Sequence, residues 1–339
     1  MIYRELSSWS AVMVATIGFG ICAVAHSAET LELKDGDRVV LVGATFIERE
    51  GQFGYIETAL ALANPEKKIT FRNLGWSGDT VWADSRGIFD PPAVGYQRMI
   101  ELIKELKPTV IVFNYGLNES YAGESGINAF VKQYDKLCDD VKPTGARLAF
   151  MTPTKLERPP SPLPDASLHN PMLEQYVIAI RQIAARRGAP VIELFGRTPT
   201  QIDFMRASTF ERGPRGARAR MEVSSLTENG IHFSPLGYSV IATWVVGRSP
   251  LGTRDPKDNR PREAPFEAMK KYEAAFERVR QKVVAKNQLF FYRWRPQNVT
   301  YLTGFRKHEQ GNNAVEIAQF DPLVEKLEAE IDELKKKKD

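Results

Sequence analysis

Cysteine is nearly missing from this chain, with 2 in 339 residues. Cys22 lies in a leading segment that we expect to be removed, so Cys138 would stand alone in the mature chain. No disulfide can then form within it, and stability must come from a packed core. Cys138 lies at helical spacing from Phe130, Tyr134 and Val141, which predicts a buried side chain rather than a nucleophile.

Histidine is scarce as well, with 4 in the chain. Neither a His-Glu-x-x-His motif nor a closely spaced pair of cysteines occurs, so no metal site is predicted. The turn at Gly43 lacks the G-x-G-x-x-G spacing of dinucleotide-binding folds, which argues against a nicotinamide cofactor. We therefore expect a protein without a cofactor.

Charge of one sign is not in excess. Lys and Arg number 46 against 42 Asp and Glu, a formal net charge of +4. Five arginines gather in the stretch 205–221 without interleaved aromatics, so nucleic acid is not an expected partner. That stretch is either a solvated basic loop or a lid, with Arg206, Arg212, Arg215, Arg218 and Arg220 available for anionic groups on a glycan.

The chain has one marked apolar run, close to its start. Arg4 precedes residues 11–24, and small residues follow up to Ala28. This layout is typical of a secretory signal peptide over residues 1–28, and the run is shorter than the roughly 20 residues of a membrane-spanning helix. We expect cleavage, export to the periplasm or the extracellular space, and no stable membrane span afterwards.

Short apolar runs alternate with amphipathic helical patterns through the next two hundred residues. Such alternation predicts βαβ units and a parallel sheet covered on both faces. The expected fold over residues 29–250 is a three-layer α/β/α sandwich with a five-stranded, flavodoxin-like sheet. The predicted strands are 39–42, 69–74, 109–113, 148–151 and 190–194, and the predicted helices are 55–63, 96–106, 127–141 and 172–187.

Other segments interrupt or follow this pattern. The run R-P-P-S-P-L-P at 158–164 can only be a loop, and residues 251–265 suit a linker. Residues 266–339 predict a helical extension that either packs on the main domain or self-associates with another chain. Within it, the aromatic-rich stretch 289–305 is either a packed hinge or a sugar platform.

Polar and small residues cluster where three predicted strands end. The first strand runs into G-A-T at Thr45, the second into N-L-G-W-S-G-D-T after Gly75, and the third into G-L-N-E at Asn118. A late segment, T-E-N-G-I-H-F-S-P, contains His232. Parallel strands place these ends on one rim, where a hydroxyl, amide donors and an imidazole can serve acyl transfer.

These blocks resemble those of the SGNH/GDSL hydrolase superfamily over about residues 34–248. The resemblance implies ester hydrolysis through a covalent acyl-enzyme, on an acylated carbohydrate or another small ester. It implies that Thr45 is the nucleophile and His232 the base. It further implies an oxyanion hole made by the Thr45 N–H, the Gly75 N–H and the Asn118 amide.

Several positions depart from the family pattern. Thr45 stands where the family has Ser, Ala44 where it has Asp, and Glu119 where the third block has its second acid. The position three before His232 is Asn229 instead of Asp, and Asn cannot stabilise an imidazolium. The neighbouring Glu228 would supply the missing charge if its loop turned inward.

Each assignment has a structural alternative. Thr45 followed by Glu48 fits a capping box, in which case the hydroxyl only caps a helix. Asp79 and Asp84 are either substrate contacts or local turn formers. At the level of function, the alternative is an inactive or weakly active scaffold that binds acylated glycans. A further, weaker alternative is that the C-terminal helices are the functional part of the chain and serve as an arm for docking a partner or for oligomerisation.

Overall fold

The computed structural model describes residues 31–197, 226–246, 265–302, 304–309 and 313–337. A five-stranded parallel sheet forms its centre, in the order β2-β1-β3-β4-β5, as the sequence predicts. The predicted signal peptide, the basic stretch and most of the linker lie outside the described residues. The strands are β1 Arg38–Gly43, β2 Thr70–Gly75, β3 Val110–Asn114, β4 Arg147–Met151 and β5 Val191–Ile192.

The last strand is shorter than predicted. Residues 190–194 were expected to pair, but only Val191–Ile192 does so. The backbone N–H groups of Leu194 and Phe195 instead donate to the Thr152 hydroxyl, at 2.8 and 3.0 Å. The side chain of Thr152, directly after β4, thus takes the donors that would have continued the ladder.

Helices cover both faces of the sheet, which makes the predicted three-layer sandwich. Successive side chains of a β-strand point to opposite faces of the sheet. In β1, Val40 and Val42 therefore pack under one helical layer, and Val39 and Leu41 pack under the other. Cys138 is buried in the first layer, as predicted. The helices are α1 Thr45–Phe53, α2 Tyr55–Ala63, α3 Pro92–Glu105, α4 Ile127–Val141, α5 Asn170–Arg186 and α6 Pro235–Val245.

The register of the sheet aligns three strand ends at one edge. Gly43 at the end of β1 pairs with Gly75 on one side and with Asn114 on the other. A Cβ on Gly75 would lie 2.1 Å from the Glu48 nitrogen, so glycine there lets α1 pass directly over the end of β2. The first turn of α1 is therefore held against the neighbouring strand.

The C-terminal extension is helical and packs on the main domain. It consists of α7 Pro265–Trp294, α8 Val299–Leu302, a 3₁₀ segment Asn313–Gln319 and α9 Phe320–Leu334. Val283 of α7 and Ile331 of α9 form a buried cluster with Leu62 of α2. Among the described residues, no helix is both long and apolar enough to cross a membrane.

A buried ion pair ties the extension to the sandwich. Lys286 of α7 is fully buried, and its Nζ donates to Glu57 Oε1 at 2.6 Å and to the Phe71 carbonyl at 3.1 Å. The Asn287 amide donates to the other carboxylate oxygen of Glu57 at 3.1 Å. Charges this deep require their partners, so the position of α7 on the domain is specified by polar contacts as well as by packing.

Candidate active site

Thr45 is the first residue of α1, directly after the end of β1. The N-cap position belongs to Ala44, with no side-chain cap. The Thr45 hydroxyl instead accepts a hydrogen bond from the Gly78 N–H at 3.1 Å, and the Glu48 carboxylate accepts from the Ser77 N–H. The capping-box interpretation is therefore wrong, because both side chains reach across to the loop after β2.

That loop changes the expected oxyanion donors. The Gly75 N–H donates to Asn73 Oδ1 at 2.8 Å, so the donor predicted from the family pattern is already engaged within its own strand. The N–H beside the Thr45 hydroxyl belongs to Gly78, which is exposed and turns the chain with φ +72°. Sequence reasoning passed over Gly78, although the small-residue turn S-G-D was the available signal.

Asn118 joins the same loop from the end of β3. Its side-chain amide donates to the Asp79 carbonyl at 2.7 Å, one residue beyond Gly78. Gly116, with φ +115°, makes the turn that brings Asn118 to this position. The structure thus brings together Thr45, Gly78 and Asn118, one from each of three adjacent strand ends.

Buried charge supports this loop from below. The Asp79 side chain is fully buried, and its carboxylate accepts from Arg86 Nε at 2.6 Å and from the Tyr115 hydroxyl at 3.0 Å. Arg86 also donates to the Leu74 carbonyl at 2.8 Å. Asp79 is therefore a structural anchor and not the substrate contact that was one of its two interpretations, while Asp84 accepts a hydrogen bond from Thr80.

Glu119 provides a second support. Its two carboxylate oxygens accept from the Val81 N–H and the Gly116 N–H, each at 2.8 Å. Burial raises the pKa of Glu119 to about 7, against the hydrogen bonds that lower it. The acid that replaces the family residue here links the loop after β2 to the end of β3.

His232 lies on the loop before α6, and Asn229 fixes how its ring can be protonated. Asn229 Oδ1 accepts two backbone N–H groups, from Ile231 at 3.1 Å and from His232 at 2.8 Å. This sets the direction of the amide and leaves Asn229 Nδ2 at 3.3 Å from His232 Nδ1. An amide nitrogen only donates, so Nδ1 must accept and the neutral ring carries its proton on Nε2.

Glu228 does not take the place of the missing acid. Its carboxylate is half-exposed and pairs with Arg49 at 2.9 Å, and the ring partner of His232 is Asn229. Burial lowers the pKa of His232, Arg49 lowers it further, and Glu228 partly opposes both. The inward turn that would have brought Glu228 to the imidazole is not adopted.

The loop that carries His232 is held beside Thr45. The Tyr238 hydroxyl donates to the Phe46 carbonyl at 2.7 Å, and the two rings stack with centroids 5.3 Å apart. Phe46 is the neighbour of Thr45, so α6 and its preceding loop are held at the start of α1. Within the part of the chain described, no hydrogen bond joins the Thr45 hydroxyl to the His232 ring; such contacts often tighten only with substrate bound.

The extension also reaches this rim, which the sequence did not indicate. Arg295, just after α7, places its guanidinium 3.6 Å from the centre of the Trp76 ring and 3.3 Å from the Glu48 carboxylate. Trp76 also contacts Trp294 edge to face, with ring centroids 5.7 Å apart. The aromatic stretch, for which a packed hinge and a sugar platform were the two interpretations, therefore borders the loop that carries Gly78.

Comparisons with known proteins bear on the family and the fold of the chain. The sequence profile described as the GDSL-like lipase/acylhydrolase family matches residues 42–240, more than half of the chain. None of the curated proteins matches the chain.

Solved structures share the fold at low identity. A gut microbial diltiazem-metabolizing enzyme is 12% identical, with a TM-score of 0.54 over 91% of this chain and 97% of its own. An acetylxylan esterase from Geobacillus stearothermophilus is 16% identical, with a TM-score of 0.45 over 65% of this chain and 98% of its own. A putative GDSL-like lipase from Parabacteroides merdae is 16% identical, with a TM-score of 0.44 over the same shares. Likeness at this level concerns the fold alone.

Proposed function

The chain belongs to the GDSL-like lipase/acylhydrolase family and is an ester hydrolase, and we propose that it removes an acyl group from a carbohydrate or another small ester through a covalent acyl-enzyme. The observation that carries this proposal is the convergence at the strand ends. The Thr45 hydroxyl lies 3.1 Å from the Gly78 nitrogen, and Asn118 is bonded to the next residue of that loop.

In the proposed reaction the Thr45 oxygen attacks the acyl carbon and its proton passes to His232 Nε2. The tetrahedral oxyanion accepts hydrogen bonds from the Thr45 N–H, the Gly78 N–H and the Asn118 amide. The Thr45 N–H is at the start of a helix, where no carbonyl of the same helix can bond it. The alcohol leaves with the proton from His232, and water then cleaves the acyl-enzyme with His232 again as base.

The histidine limits this reaction. Nε2 must be unprotonated to accept the Thr45 proton, but the Asn229 amide favours the ring with its proton on Nε2. Turnover then draws on the minor tautomer and is slow. In trypsin, the corresponding Asp-to-Asn change lowers kcat about 10⁴-fold for this reason.

The same contact favours a second candidate function. A scaffold that keeps the donors for an acyl carbonyl but holds its base in the wrong tautomer would bind acylated glycans with little turnover. Binding of an acetylated xylo-oligosaccharide without hydrolysis would support this candidate.

Hydrolysis of p-nitrophenyl acetate by the chain from residue 29 tests the first candidate. We expect slow turnover that is lost in Thr45→Ala and His232→Ala and is kept or raised in Thr45→Ser, because serine lacks the crowding methyl group. Unchanged turnover in Thr45→Ala would remove Thr45 from the mechanism. A wild type that is inert beside an active Thr45→Ser would favour the binding scaffold.

Export and self-association are further proposals. The leading segment supports export, and N-terminal sequencing of the protein from a fractionated expression host checks cleavage near residues 25–28. The C-terminal helices support self-association with a second copy of the chain. Light scattering of the chain from residue 29 measures the mass of the particle and so checks this. A monomer with an intact leader would contradict both.

A further inference from the structure

A cavity of about 460 Å³ lies where the C-terminal extension meets the sandwich. The main domain contributes the loop before α3 and part of α3, and the extension contributes the end of α7, α8 and the 3₁₀ segment. The volume falls within the range of about 300–1,000 Å³ seen for small-molecule sites. The apolar part of the lining includes Ile88, Phe89, Leu102, Trp294, Phe305 and Ile317.

Three large apolar side chains at this cavity are exposed to solvent. Phe89 is 77% exposed, Phe305 is 80% exposed and Ile88 is 48% exposed. Two come from the main domain and one from the extension. Large exposed apolar side chains that gather around one cavity are typical of a ligand site and not of a folding core.

The backbone at Ile88 adds an independent observation. Ile88 has φ +60°, in the left-handed region that a β-branched residue strongly disfavours. Its side chain is about half exposed, so the core does not offset this strain. Residues held in such strained backbone conformations cluster at active sites and ligand sites.

The charges around the cavity favour an uncharged occupant. Each arginine in its lining has a carboxylate partner: Arg86 with Asp79, Arg98 with Asp90, Arg293 with Glu105 and Asp321, and Arg295 with Glu48. These pairs neutralise the guanidinium groups, so an anionic ligand gains little from them. Apart from Thr300, the other side chains of the lining are aromatic or aliphatic.

The cavity borders the candidate active site. Trp76 is part of its lining and lies two residues before Gly78, whose N–H contacts the Thr45 hydroxyl. Two residues span at most about 7 Å of backbone. The alcohol part of an ester whose carbonyl lies at Thr45 would have to span about this distance to reach the cavity.

We propose that this cavity binds an uncharged, apolar ring in the alcohol part of the ester substrate. The proposal deepens the proposed function and rests on it, since it places the scissile bond at Thr45 and takes the small ester, rather than the carbohydrate, as the substrate. The extension thereby acts as one wall of the substrate site.

Binding of 2-naphthol, measured by calorimetry on the Thr45→Ala protein, tests the cavity without turnover. Phe89→Ala and Phe305→Ala each remove an exposed ring, so the fold should tolerate them. We expect each to weaken 2-naphthol binding about fivefold or more through lost apolar contact. Leu168→Ala is the matched control, because Leu168 is 79% exposed and outside the lining, and it should leave the affinity unchanged.

A second pair of variants fills the cavity instead of opening it. Ile317→Trp places a large ring inside, whereas Val315→Trp adds the same ring two residues away, at a position that is 63% exposed and outside the lining. Only Ile317→Trp should weaken 2-naphthol. Equal affinities in the two tryptophan variants, or in all the alanine variants, would overturn the proposal.

Hydrolysis separates this proposal from the one on which it rests. In the otherwise wild-type chain, Ile317→Trp should raise KM for 2-naphthyl acetate, whereas Val315→Trp should leave kcat/KM for both 2-naphthyl acetate and methyl acetate unchanged. If neither ester is cleaved while 2-naphthol still binds in the cavity, the proposed function fails and the binding site stands. If both esters are cleaved but KM is the same in all variants, the site fails and the esterase stands.

Discussion

The two sides of the candidate site are built differently. The strand-end side, with Thr45, Gly78 and Asn118, is supported by the buried pair of Asp79 and Arg86 and by hydrogen bonds at 2.6–3.1 Å. The loop side, with Asn229, His232 and Glu228, has a half-exposed ion pair and an imidazole whose only ring partner among the described residues is an amide at 3.3 Å.

The difference separates two requirements of acyl transfer. Donors for an oxyanion need a rigid frame, and the strand-end side supplies it through charges that cannot leave their partners. A histidine base needs its proton on Nδ1 so that Nε2 can accept one. The Asn229 amide, in place of a carboxylate, favours the other tautomer of His232 without disturbing the strand-end side. We therefore expect the site to hold an ester well and to cleave it slowly.

The largest effect is expected from restoring the acid on the loop side. In Asn229→Asp the first carboxylate oxygen still accepts hydrogen bonds from the backbone N–H groups of Ile231 and His232, and the second accepts a hydrogen bond from the Nδ1–H of the ring. We expect kcat/KM for p-nitrophenyl acetate to rise about 10²- to 10⁴-fold. The double variant Asn229→Asp/His232→Gln is the control, and a gain that survives in it would show that the imidazole is not involved.

A loss of stability is expected when charge is removed from the strand-end side. Asp79→Asn leaves the Arg86 guanidinium buried without its counter-ion, which costs about 3–5 kcal/mol of unfolding free energy. The same kind of change on the loop side, Glu228→Gln, breaks a half-exposed pair and should cost about 0–1 kcal/mol. Urea unfolding measures both, and equal losses would erase the contrast between the two sides.

Glu119 gives the strand-end side a pH dependence of stability. Its pKa in the folded protein is about 7, above the ordinary carboxyl value of 4.5. The folded state therefore binds the Glu119 proton more tightly than the unfolded state does. The resulting stabilisation of the folded state is full below pH 4.5 and is lost as the pH rises through 7. Relative to Glu119→Gln, the wild type should lose unfolding free energy between pH 5 and pH 8. A constant difference across that window would show that Glu119 does not titrate there.

The smallest effect concerns the pH profile of the loop side. Catalysis needs a neutral His232, so activity should fall as the pH drops through its lowered pKa. Removing Arg49 charge in Arg49→Gln should raise that pKa and move the acidic limb of the kcat/KM profile to higher pH. Glu228→Gln should move it to lower pH, since Glu228 opposes the lowering. Shifts in the same direction would contradict the assigned charges.

The fold and the broad location of the site could be predicted from the sequence. Alternating apolar runs predicted five parallel strands and both covering layers, because those periodicities reflect burial directly. The end of β5 could not be predicted in the same way. The Thr152 hydroxyl ends this strand by accepting a hydrogen bond from Leu194, 42 residues away along the chain, and no local sequence pattern encodes such a contact. The link between Lys286 and Glu57, 229 residues apart, is of the same kind.

Within the site, the residue types were predictable and their partners were not. The Thr45 and Glu48 pair has the spacing of a capping box, but the helix begins one residue earlier than that motif needs. Gly75 matched the family block, yet Asn73 in the same strand engages its N–H and leaves Gly78 to face the hydroxyl. The direction of the Asn229 amide follows from two backbone donors, which only the folded loop provides.

The protonation of the His232 ring tests the central claim most directly. Nitrogen-15 NMR of the chain from residue 29, labelled at histidine, distinguishes a protonated from an unprotonated ring nitrogen at a pH above the His232 pKa, and His232→Gln assigns the signals. The account predicts a proton on Nε2 in the wild type and its transfer to Nδ1 in Asn229→Asp. A wild-type ring protonated on Nδ1 would contradict it.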